Sequence, residues 1–468
     1  LHPMRNILLF AILSVIFLSS CQVNPPAEEI TQKPNIILLL VDDMGYGDLT
    51  CYGGQAVHTP NIDKLADAGV RFTRFYSASG VCTPSRAAIL TGKYPLRFNI
   101  RQHFSDKGEN LPAGIETLPK ILKKVGYATA HIGKWHLGGL RTEDFEARKD
   151  GKEADPGPLQ HGFDHSLTSI EGAPPRPALI KERKLYREGG KYMIRNDQRA
   201  PEDPDHWTNI KVNEAIKLLE AYKENEQPFF LNLWFDVPHT PYEPAPEPHL
   251  STYANMGATG DQLYFRSMVS NLDENIGRLI AKLKELDMYE NTLILFTSDN
   301  GAAWEGEVGP FKGGKTDLHE GGIRVPFIAV WQDKIPENQV SFQRGHHTDI
   351  LPTICEAANA EFEESIDGIS LLPNLCSGEE IDRGLILWQM DLYPSLQRHY
   401  EKPLPYATNI AYKGPWKLML DSITPVELYH LENDPHEVMN LLEKYPEIVN
   451  ELREETLLFM SEPRNQWN

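Results

Sequence analysis

The chain has 468 residues, of which 41% are hydrophobic and 24% charged, a composition that excludes disordered chains, multi-span membrane proteins and small scaffolds. Its length allows two or three domains with a sizeable core. Acidic residues outnumber basic ones by 66 to 46, giving a formal net charge of −20, which argues against nucleic acid or anionic lipid as a partner because the summed field repels both. An anionic substrate would therefore need a local cationic pocket.

The first 33 residues have the pattern of an export signal followed by a linker. Residues 7–18 form an apolar run in which Ser14 is the one polar residue, which is typical of a secretory signal peptide. A helix of this length spans about 18 Å, less than the roughly 30 Å of a bilayer core. The run leads into Leu-Ser-Ser-Cys, which resembles the site at which bacterial lipoproteins are cleaved and lipidated. We therefore expect a lipoprotein signal peptide over 1–21 with lipid on Cys21 and a tether over 22–33, or a plain signal peptide as the alternative.

The tether is followed by apolar runs typical of strands buried on both faces of a parallel sheet. These runs lie at residues 35–41, 127–132, 229–235 and 292–298. Helical patterns alternate with them at 61–68, 116–125 and 261–286. The alternation predicts an α/β fold with a mixed, mostly parallel central sheet sandwiched by helices.

Two stretches depart from this alternation. Residues 141–206 are rich in charge, glycine and proline and are expected to form an irregular insertion over the sheet edge. After residue 385, short strand patterns are followed by a helical pattern at 446–460. We therefore expect a main domain over 34–385 and a smaller C-terminal α+β subdomain, with a small antiparallel sheet and a helix, over 386–468.

Polar residues follow each of the four predicted strands. They are Asp42 and Asp43, then Lys134 and His136, then His239, and finally Asp299 and Asn300. Ligands of open α/β sheets bind beyond the carboxyl ends of the strands, so these side chains can converge. The acids and the amide supply the hard oxygen ligands that Ca²⁺ or Mg²⁺ requires, while Lys134 and His136, two residues apart, would face one anion if the chain stays extended.

One cysteine stands in an unusual context. In Cys82-Thr-Pro-Ser-Arg86 a loop enters a helix that ends before Gly92, so the thiol lies at a helix N-terminus, where anions are favoured and the thiol pKa should fall. The remaining cysteines match no zinc spacing. Cys355 and Cys376 could pair in an oxidising compartment, which the sequence leaves open.

The stretch from Cys82 to Gly92 resembles the formylglycine sulfatases of the alkaline phosphatase superfamily, whose motif is Cys-x-Pro-x-Arg. Further segments resemble family motifs in family order: Asp42-Asp43, Gly133–His136, Pro238–Pro241, Ser298–Gly301, Gly314-Lys315, Glu320–Pro326, Glu427–Tyr429 and Asn433–Pro435. The resemblance spans most of the chain and implies an alkaline phosphatase-like fold, with the catalytic domain over 34–385.

The resemblance also implies site roles. The cysteine is converted to formylglycine, whose hydrate is the nucleophile, by a formylglycine-generating or anaerobic maturation enzyme. Implied catalytic residues are Cys82, Arg86, Lys134, His136, His239 and Lys315. Implied ligands of one cation, most often Ca²⁺ with Mg²⁺ as the alternative, are Asp42, Asp43, modified Cys82, Asp299 and Asn300. Arg324 and Glu320 are expected to be structural.

The implied function is hydrolysis of sulfate esters, favoured on a sulfated polysaccharide or oligosaccharide because an exported, tethered enzyme meets glycans at the periplasm or cell surface. The alternatives are a phosphoester or phosphonate hydrolase of the same superfamily and an inactive glycan-binding lipoprotein. Nucleic acid is not an expected partner, and membrane contact is expected through the lipid on Cys21 alone. Arg101, His103, 141–206 and 388–399 could line a sugar subsite, but nothing in the sequence separates them from solvated loop residues.

Overall fold

The computed structural model describes residues 33–104, 109–140, 142–169, 193–201, 203–391 and 407–462. The expected signal peptide over 1–21, including Cys21, and the tether up to residue 32 lie outside these ranges. In the part of the chain that is described, no helix combines the length and the apolar character needed to cross a bilayer.

Within these ranges the larger sheet has ten strands, in the spatial order β10-β2-β9-β8-β1-β7-β3-β4-β5-β6. Five of its strand pairs are parallel and four antiparallel, so the predicted mixed, mostly parallel sheet is confirmed. The strands are β1 Asn35–Val41, β2 Val70–Tyr76, β3 Ala128–Gly133, β4 His165–Ser169, β5 Met193–Arg195, β6 Gln198–Arg199, β7 Phe229–Trp234, β8 Thr292–Ser298, β9 Phe327–Val330 and β10 Gln339–His346.

The four strands predicted from apolar runs form the centre of this sheet. Strand β1 lies between β7 and β8 and is parallel to both, with Ile36 opposite Phe230 on one side and Leu293 on the other. Residues Ile36–Val41 are fully buried, because helices cover both faces of a parallel sheet. The carboxyl ends of the four central strands therefore lie at one edge of the sheet. The polar residues that follow these strands lie at the same edge.

Helices alternate with the strands as predicted. The longest, predicted over 261–286, is observed over Gly260–Glu285, and its apolar stripe packs into the main core through residues such as Leu272 and Leu279. The helices are α1 Pro60–Asp67, α2 Cys82–Thr91, α3 Leu118–Lys124, α4 Thr142–Lys149, α5 Trp207–Glu224, α6 His249–Asn255, α7 Gly260–Glu285, α8 Glu320–Ile323, α9 Ile350–Ala357, α10 Leu372–Ser377 and α11 Pro446–Ser461. Short 3-10 turns lie at Tyr46–Asp48, Thr50–Tyr52, Pro95–Phe98, Leu159–His161 and His347–Asp349.

The expectation of an irregular insertion over 141–206 is wrong for its described part. This stretch contains α4 and the strands β4, β5 and β6, which extend the sheet instead of lying over its edge. Strand β4 pairs in parallel with β3. Its sequence, His-Ser-Leu-Thr-Ser, is short and polar, so neither an apolar run nor a clear alternation marks it as a strand. Residues 170–192 lie outside the described ranges.

A second, antiparallel sheet forms the C-terminal part, as predicted. It consists of β11 Ile386–Gln389, β12 Asn409–Lys413, β13 Trp416–Asp421 and β14 Thr424–His430, in that order, followed by α11. Buried ion pairs connect it to the segment before β9, since the Lys417 ammonium lies 3.0 Å from a Glu320 oxygen. Glu320 also pairs with Arg324, which agrees with the expected structural role of both. The cysteines at 355 and 376 are both free, the first buried and the second exposed.

Candidate active site

The residues that follow strands β1 and β8 lie next to the start of α2 at the carboxyl edge of the larger sheet. Carboxylate oxygens of Asp42, Asp43 and Asp299 and the sulfur of Cys82 all lie within 4.8 Å of one another, and all four residues are buried. Asn300 joins them, since its Nδ2 donates to Asp43 Oδ1 at 2.8 Å. Sequence reasoning predicted these five residues as one group, and the structure brings them together.

The donor set fits a hard divalent cation. It offers carboxylate oxygens from three aspartates, and such oxygens are the ligands that Ca²⁺ and Mg²⁺ prefer. Asn300 Oδ1 is buried and has no hydrogen-bond partner among the described residues. An unpartnered buried oxygen costs free energy unless a ligand satisfies it, so this atom is available for a cation.

Two lysine ammonium groups face the same carboxylates. Lys134 Nζ donates to Asp42 Oδ2 at 2.6 Å and lies 3.7 Å from Cys82 Sγ, while Lys315 Nζ donates to Asp43 Oδ2 at 2.8 Å. Burial alone would raise the pKa of Asp42. Its pKa nevertheless lies well below the ordinary value, because electrostatic interactions with Lys134, His239 and Arg86 lower it. The predicted local cationic pocket is therefore present in this acidic protein.

Arg86, on α2, connects the helix to the acid cluster. Its guanidinium is fully buried, and both Nε and Nη2 donate to Asp299 Oδ2, at 3.0 and 2.6 Å. Its Nη1 donates to the backbone oxygen of Lys134 at 2.9 Å, and the group stacks on Trp234 at 5.1 Å. Burial and Asp42 nevertheless raise the pKa of Asp299 to about 6, so this carboxylate is the most basic of the three.

The thiol at the start of α2 differs from its predicted state. Cys82 does begin the helix, but its pKa is raised well above the ordinary value, first by burial and then by Asp299. The helix dipole contributes a fraction of a charge, whereas full burial beside carboxylates disfavours a thiolate more strongly. The predicted fall in the thiol pKa is therefore wrong, and the unmodified cysteine is a poor nucleophile.

Three histidines complete the site. His136 lies close to Cys82. Its backbone has a φ of 58°, so the chain is not extended there, and the extended geometry that would place Lys134 and His136 on one side is absent. His239 Nε2 lies 3.5 Å from Asp43 Oδ2. Burial and then Lys315 lower the pKa of His239, and burial and then Lys134 lower that of His136 well below its ordinary value.

His103 is the residue that sequence reasoning could not assign. Its ring stacks on that of His136, with centroids 5.0 Å apart and an interplanar angle of 21°, and its ring nitrogen lies within 4.8 Å of the Cys82 sulfur. Burial lowers the pKa of His103 to about 3. No motif marks this loop, so its place in the site could be seen only from the tertiary structure.

Two other subsite candidates have partners outside the predicted site residues. Arg101 pairs with Asp391 at 3.4 Å and with Asn99. Trp388 is buried, and its Nε1 donates to the Ser77 backbone oxygen at 2.7 Å, so it belongs to the core. Residues 392–399 lie outside the described ranges.

The arrangement suits the binding of an anionic group that the side chain at position 82 can attack. Two buried ammonium groups can bind anionic oxygens in a pocket from which most water is excluded, where such interactions are strongest. A basic carboxylate and neutral imidazoles can accept and donate protons beside them. The side chain of His239 is 31% exposed, against 14% for Lys134 and 11% for Lys315, so the pocket opens towards His239.

Comparisons with known proteins agree with this geometry. A family model described as sulfatase matches residues 34–360, and one described as N-sulphoglucosamine sulphohydrolase, C-terminal, matches residues 306–461. The N-acetylgalactosamine-6-sulfatase of Homo sapiens is 35% identical over 382 residues, which cover 77% of this chain and 69% of that protein.

Solved structures give the same result. Ps i-CgsB in complex with k-i-k-neocarrahexaose has a TM-score of 0.78 and 26% identity, with 93% of this chain and 94% of that chain covered. PsFucS1 sulfatase from Pseudoalteromonas sp. has a TM-score of 0.72 and 26% identity, with coverage of 93% and 92%.

Proposed function

We propose that this chain, which belongs to the sulfatase family and is a sulfuric ester hydrolase, removes sulfate from a sulfated oligosaccharide or polysaccharide. The observation that carries the proposal is the position of Cys82 beside the Lys134 ammonium and within a cluster of buried carboxylates that also holds the Lys315 ammonium. The substrate class is supported by similar proteins whose names specify a sulfated amino sugar or a bound carrageenan fragment.

The sulfatase family binds a metal ion, and we infer Ca²⁺ as the ion here, with Mg²⁺ as the alternative. Its ligands would be Asp42, Asp43, Asp299 and Asn300, together with modified residue 82. The hard oxygen set and the unpartnered Asn300 Oδ1 support this choice. When bound, the cation supplies positive charge that polarises sulfate oxygens and favours a deprotonated hydroxyl.

The family also depends on formylglycine, and we infer that Cys82 is the residue converted. When present, the hydrated aldehyde supplies one hydroxyl for attack on sulfur and a second that allows the sulfate to leave. The raised pKa of the thiol supports this inference, because an unmodified cysteine would react slowly here. A maturation enzyme is therefore an expected partner of the nascent chain.

The remaining steps belong to side chains of the chain itself. Lys134 and Lys315 would bind the sulfate oxygens, and Asp299, held by Arg86, would accept the proton of the attacking hydroxyl. Arg86 lies against both Asp299 and the Lys134 backbone, so it would fix their relative positions.

Two histidines would handle the remaining protons. His239, beside Lys315 at the open side of the pocket, would donate a proton to the leaving alcohol oxygen. His136, next to Cys82, would accept the proton that accompanies sulfate release. Burial keeps His136 neutral, so it can accept a proton. His239 is also neutral at rest, and its partly exposed side chain would take up from solvent the proton that it donates.

We also propose that the protein is exported and anchored by lipid on Cys21 at the periplasmic side or cell surface. The apolar run over 7–18 and the Leu-Ser-Ser-Cys sequence that follows support this. Such a location would give the enzyme access to extracellular glycans. Labelling with a radioactive fatty acid tests it: a Cys21→Ser variant should lose the label, and labelling that persists would refute the anchor.

The test of the proposed reaction uses the protein produced together with a maturation enzyme. Sulfate and phosphate release are measured on sulfated oligosaccharides, an aryl sulfate and matching phosphate esters, and the Cys82 peptide is weighed on the same preparation. We expect sulfate release from a saccharide, its loss in Cys82→Ala, and normal activity in the matched control Cys355→Ala. Preferential phosphate release, or no saccharide turnover by fully converted protein, would refute the proposal.

A further inference from the structure

Trp304 is a large hydrophobic residue in an unusual position. Its side chain is 53% exposed, and its backbone has a φ of 53°. A left-handed conformation is unfavourable for a non-glycine residue, and an exposed indole gains little from burial.

The turn that presents Trp304 is held rigidly. Gly306 N donates to Ala303 O at 2.9 Å, which places Trp304 at the second position of a four-residue turn. The base of the turn is fixed by the buried Asp48, whose Oδ1 accepts from Glu307 N at 2.8 Å. The indole is therefore presented by a preorganised backbone.

The turn is anchored on both sides to segments of the active site. On one side, Lys315 N donates to Ala302 O at 2.8 Å, so the sulfate-binding lysine and the turn share a backbone hydrogen bond. On the other, Glu305 N lies 3.4 Å from Tyr242 Oη, and Tyr242 follows His239 by three residues. With Cα atoms 3.8 Å apart along the chain, Trp304 lies within about 8 Å of Ala302. The turn therefore lies between the Lys315 segment and Tyr242, whose pKa is raised by burial and by nearby charges that include Asp43 of the acid cluster.

We propose that Trp304 is a specificity-determining residue that stacks on a sugar ring of the substrate, beyond the end of the site that binds sulfate. This rests on the proposed function. An indole offers a large, rigid, apolar face with a polar edge, and the C–H face of a pyranose ring is complementary to it. Its exposed indole lies on a turn that is hydrogen-bonded to both the Lys315 segment and Tyr242, outside the buried cluster that would bind the sulfate, where a sugar attached to that sulfate can reach it.

The test compares Trp304→Ala and Trp304→Phe with the wild type on the sulfated oligosaccharide that the wild type hydrolyses fastest. For Trp304→Ala we expect KM to rise roughly threefold to tenfold with kcat within about twofold, the effect of losing one aromatic contact. Trp304→Phe should keep most of the affinity. The inhibition constant of inorganic sulfate, which needs the ammonium groups but no sugar contact, should stay unchanged in both variants. Phe342→Ala, a change at an exposed aromatic residue of the edge strand β10, is the matched control.

Each other outcome decides between the proposals. An unchanged KM in Trp304→Ala would overturn the role of Trp304 while leaving the proposed function intact. A parallel loss of oligosaccharide turnover and of sulfate inhibition would show that Trp304 maintains the structure of the site, which also overturns the proposal. If the wild type hydrolyses an aryl sulfate but no saccharide, the proposed substrate class is wrong and the role of Trp304 fails with it.

Discussion

His319 connects the Lys315 segment to the C-terminal sheet through two charged hydrogen bonds. It is fully buried, with Nδ1 2.7 Å from Asp317 Oδ1 and Nε2 2.7 Å from Glu427 Oε2. Both ring nitrogens can donate to a carboxylate only when the imidazole is protonated. Burial opposes the charge, but the bonds to Asp317 and Glu427 raise the pKa of His319 from 6.5 to about 9.

This shift makes stability depend on pH in a defined direction. Because the folded pKa lies above the unfolded one, the contribution is complete below about pH 6.5 and is lost as pH rises towards about 9. At about 1.4 kcal/mol per unit, the raised pKa corresponds to about 3 kcal/mol of unfolding free energy. A His319→Gln variant cannot carry the charge and should lack this contribution at every pH.

The assay is urea denaturation, followed by tryptophan fluorescence, at several pH values between about 6 and 9.5. The difference in unfolding free energy between wild type and His319→Gln should be about 3 kcal/mol larger at the acidic end than at the alkaline end. His58→Gln, at an exposed position, is the control for loss of a histidine. A difference that does not change with pH would show that His319 is neutral in the folded protein and would refute the reasoning.

Three further predictions concern the buried charges and the proposed cation site. Arg86→Met should lower the unfolding free energy by about 3–5 kcal/mol, because it leaves Asp299 buried without its bidentate partner; a loss below about 1 kcal/mol in urea denaturation would contradict this. Calcium added at about 100 times its Kd should raise the unfolding free energy of chelator-treated protein by about 2.7 kcal/mol. The Asn300→Ala variant should bind calcium more weakly in calorimetry. Equal affinity in that variant would remove Asn300 from the ligand set. Lys417→Met should lower the unfolding free energy by about 3–5 kcal/mol, because Glu320 and Glu437 lose the ammonium that lies 3.0 and 2.8 Å from them. Adding Glu437→Gln should recover part of this loss. Strict additivity of the two changes would show that the two residues are not coupled.

The central part of the fold could be predicted because its sequence signal is local. Strands β1 and β8 are continuous apolar runs that end at acidic residues, and both were predicted over the residues observed. The short strands β4 to β6 lack that signal, since their pairing with β3 and with one another depends on the rest of the sheet. Predictions based on apolar periodicity therefore succeed at the sheet centre and fail at its edge.

The candidate site divides in the same way. Residues directly after a strand could be placed together, because parallel strands end at one edge. His103 and Trp304 could not, since each lies in a loop whose position depends on distant contacts, such as the stacking on His136 and the hydrogen bond to Tyr242. The pKa of the Cys82 thiol could not be predicted either. The sequence shows that Cys82 begins a helix, but the burial that dominates its pKa depends on the packed structure.

The C-terminal sheet, which the sequence predicts as a separate subdomain, supports a segment of the candidate active site. The segment that contains Lys315 is hydrogen-bonded on one side to the loop before α2, through Thr316 N and Gly80 O at 2.8 Å. On the other side its continuation, His319 and Glu320, is paired with side chains of the second sheet and the turn after it. The Lys315 ammonium, which we propose binds a sulfate oxygen, needs such support to be held in place. The second sheet thus supports the segment that contains Lys315, through the bonds of Glu427 to His319 and of Lys417 to Glu320.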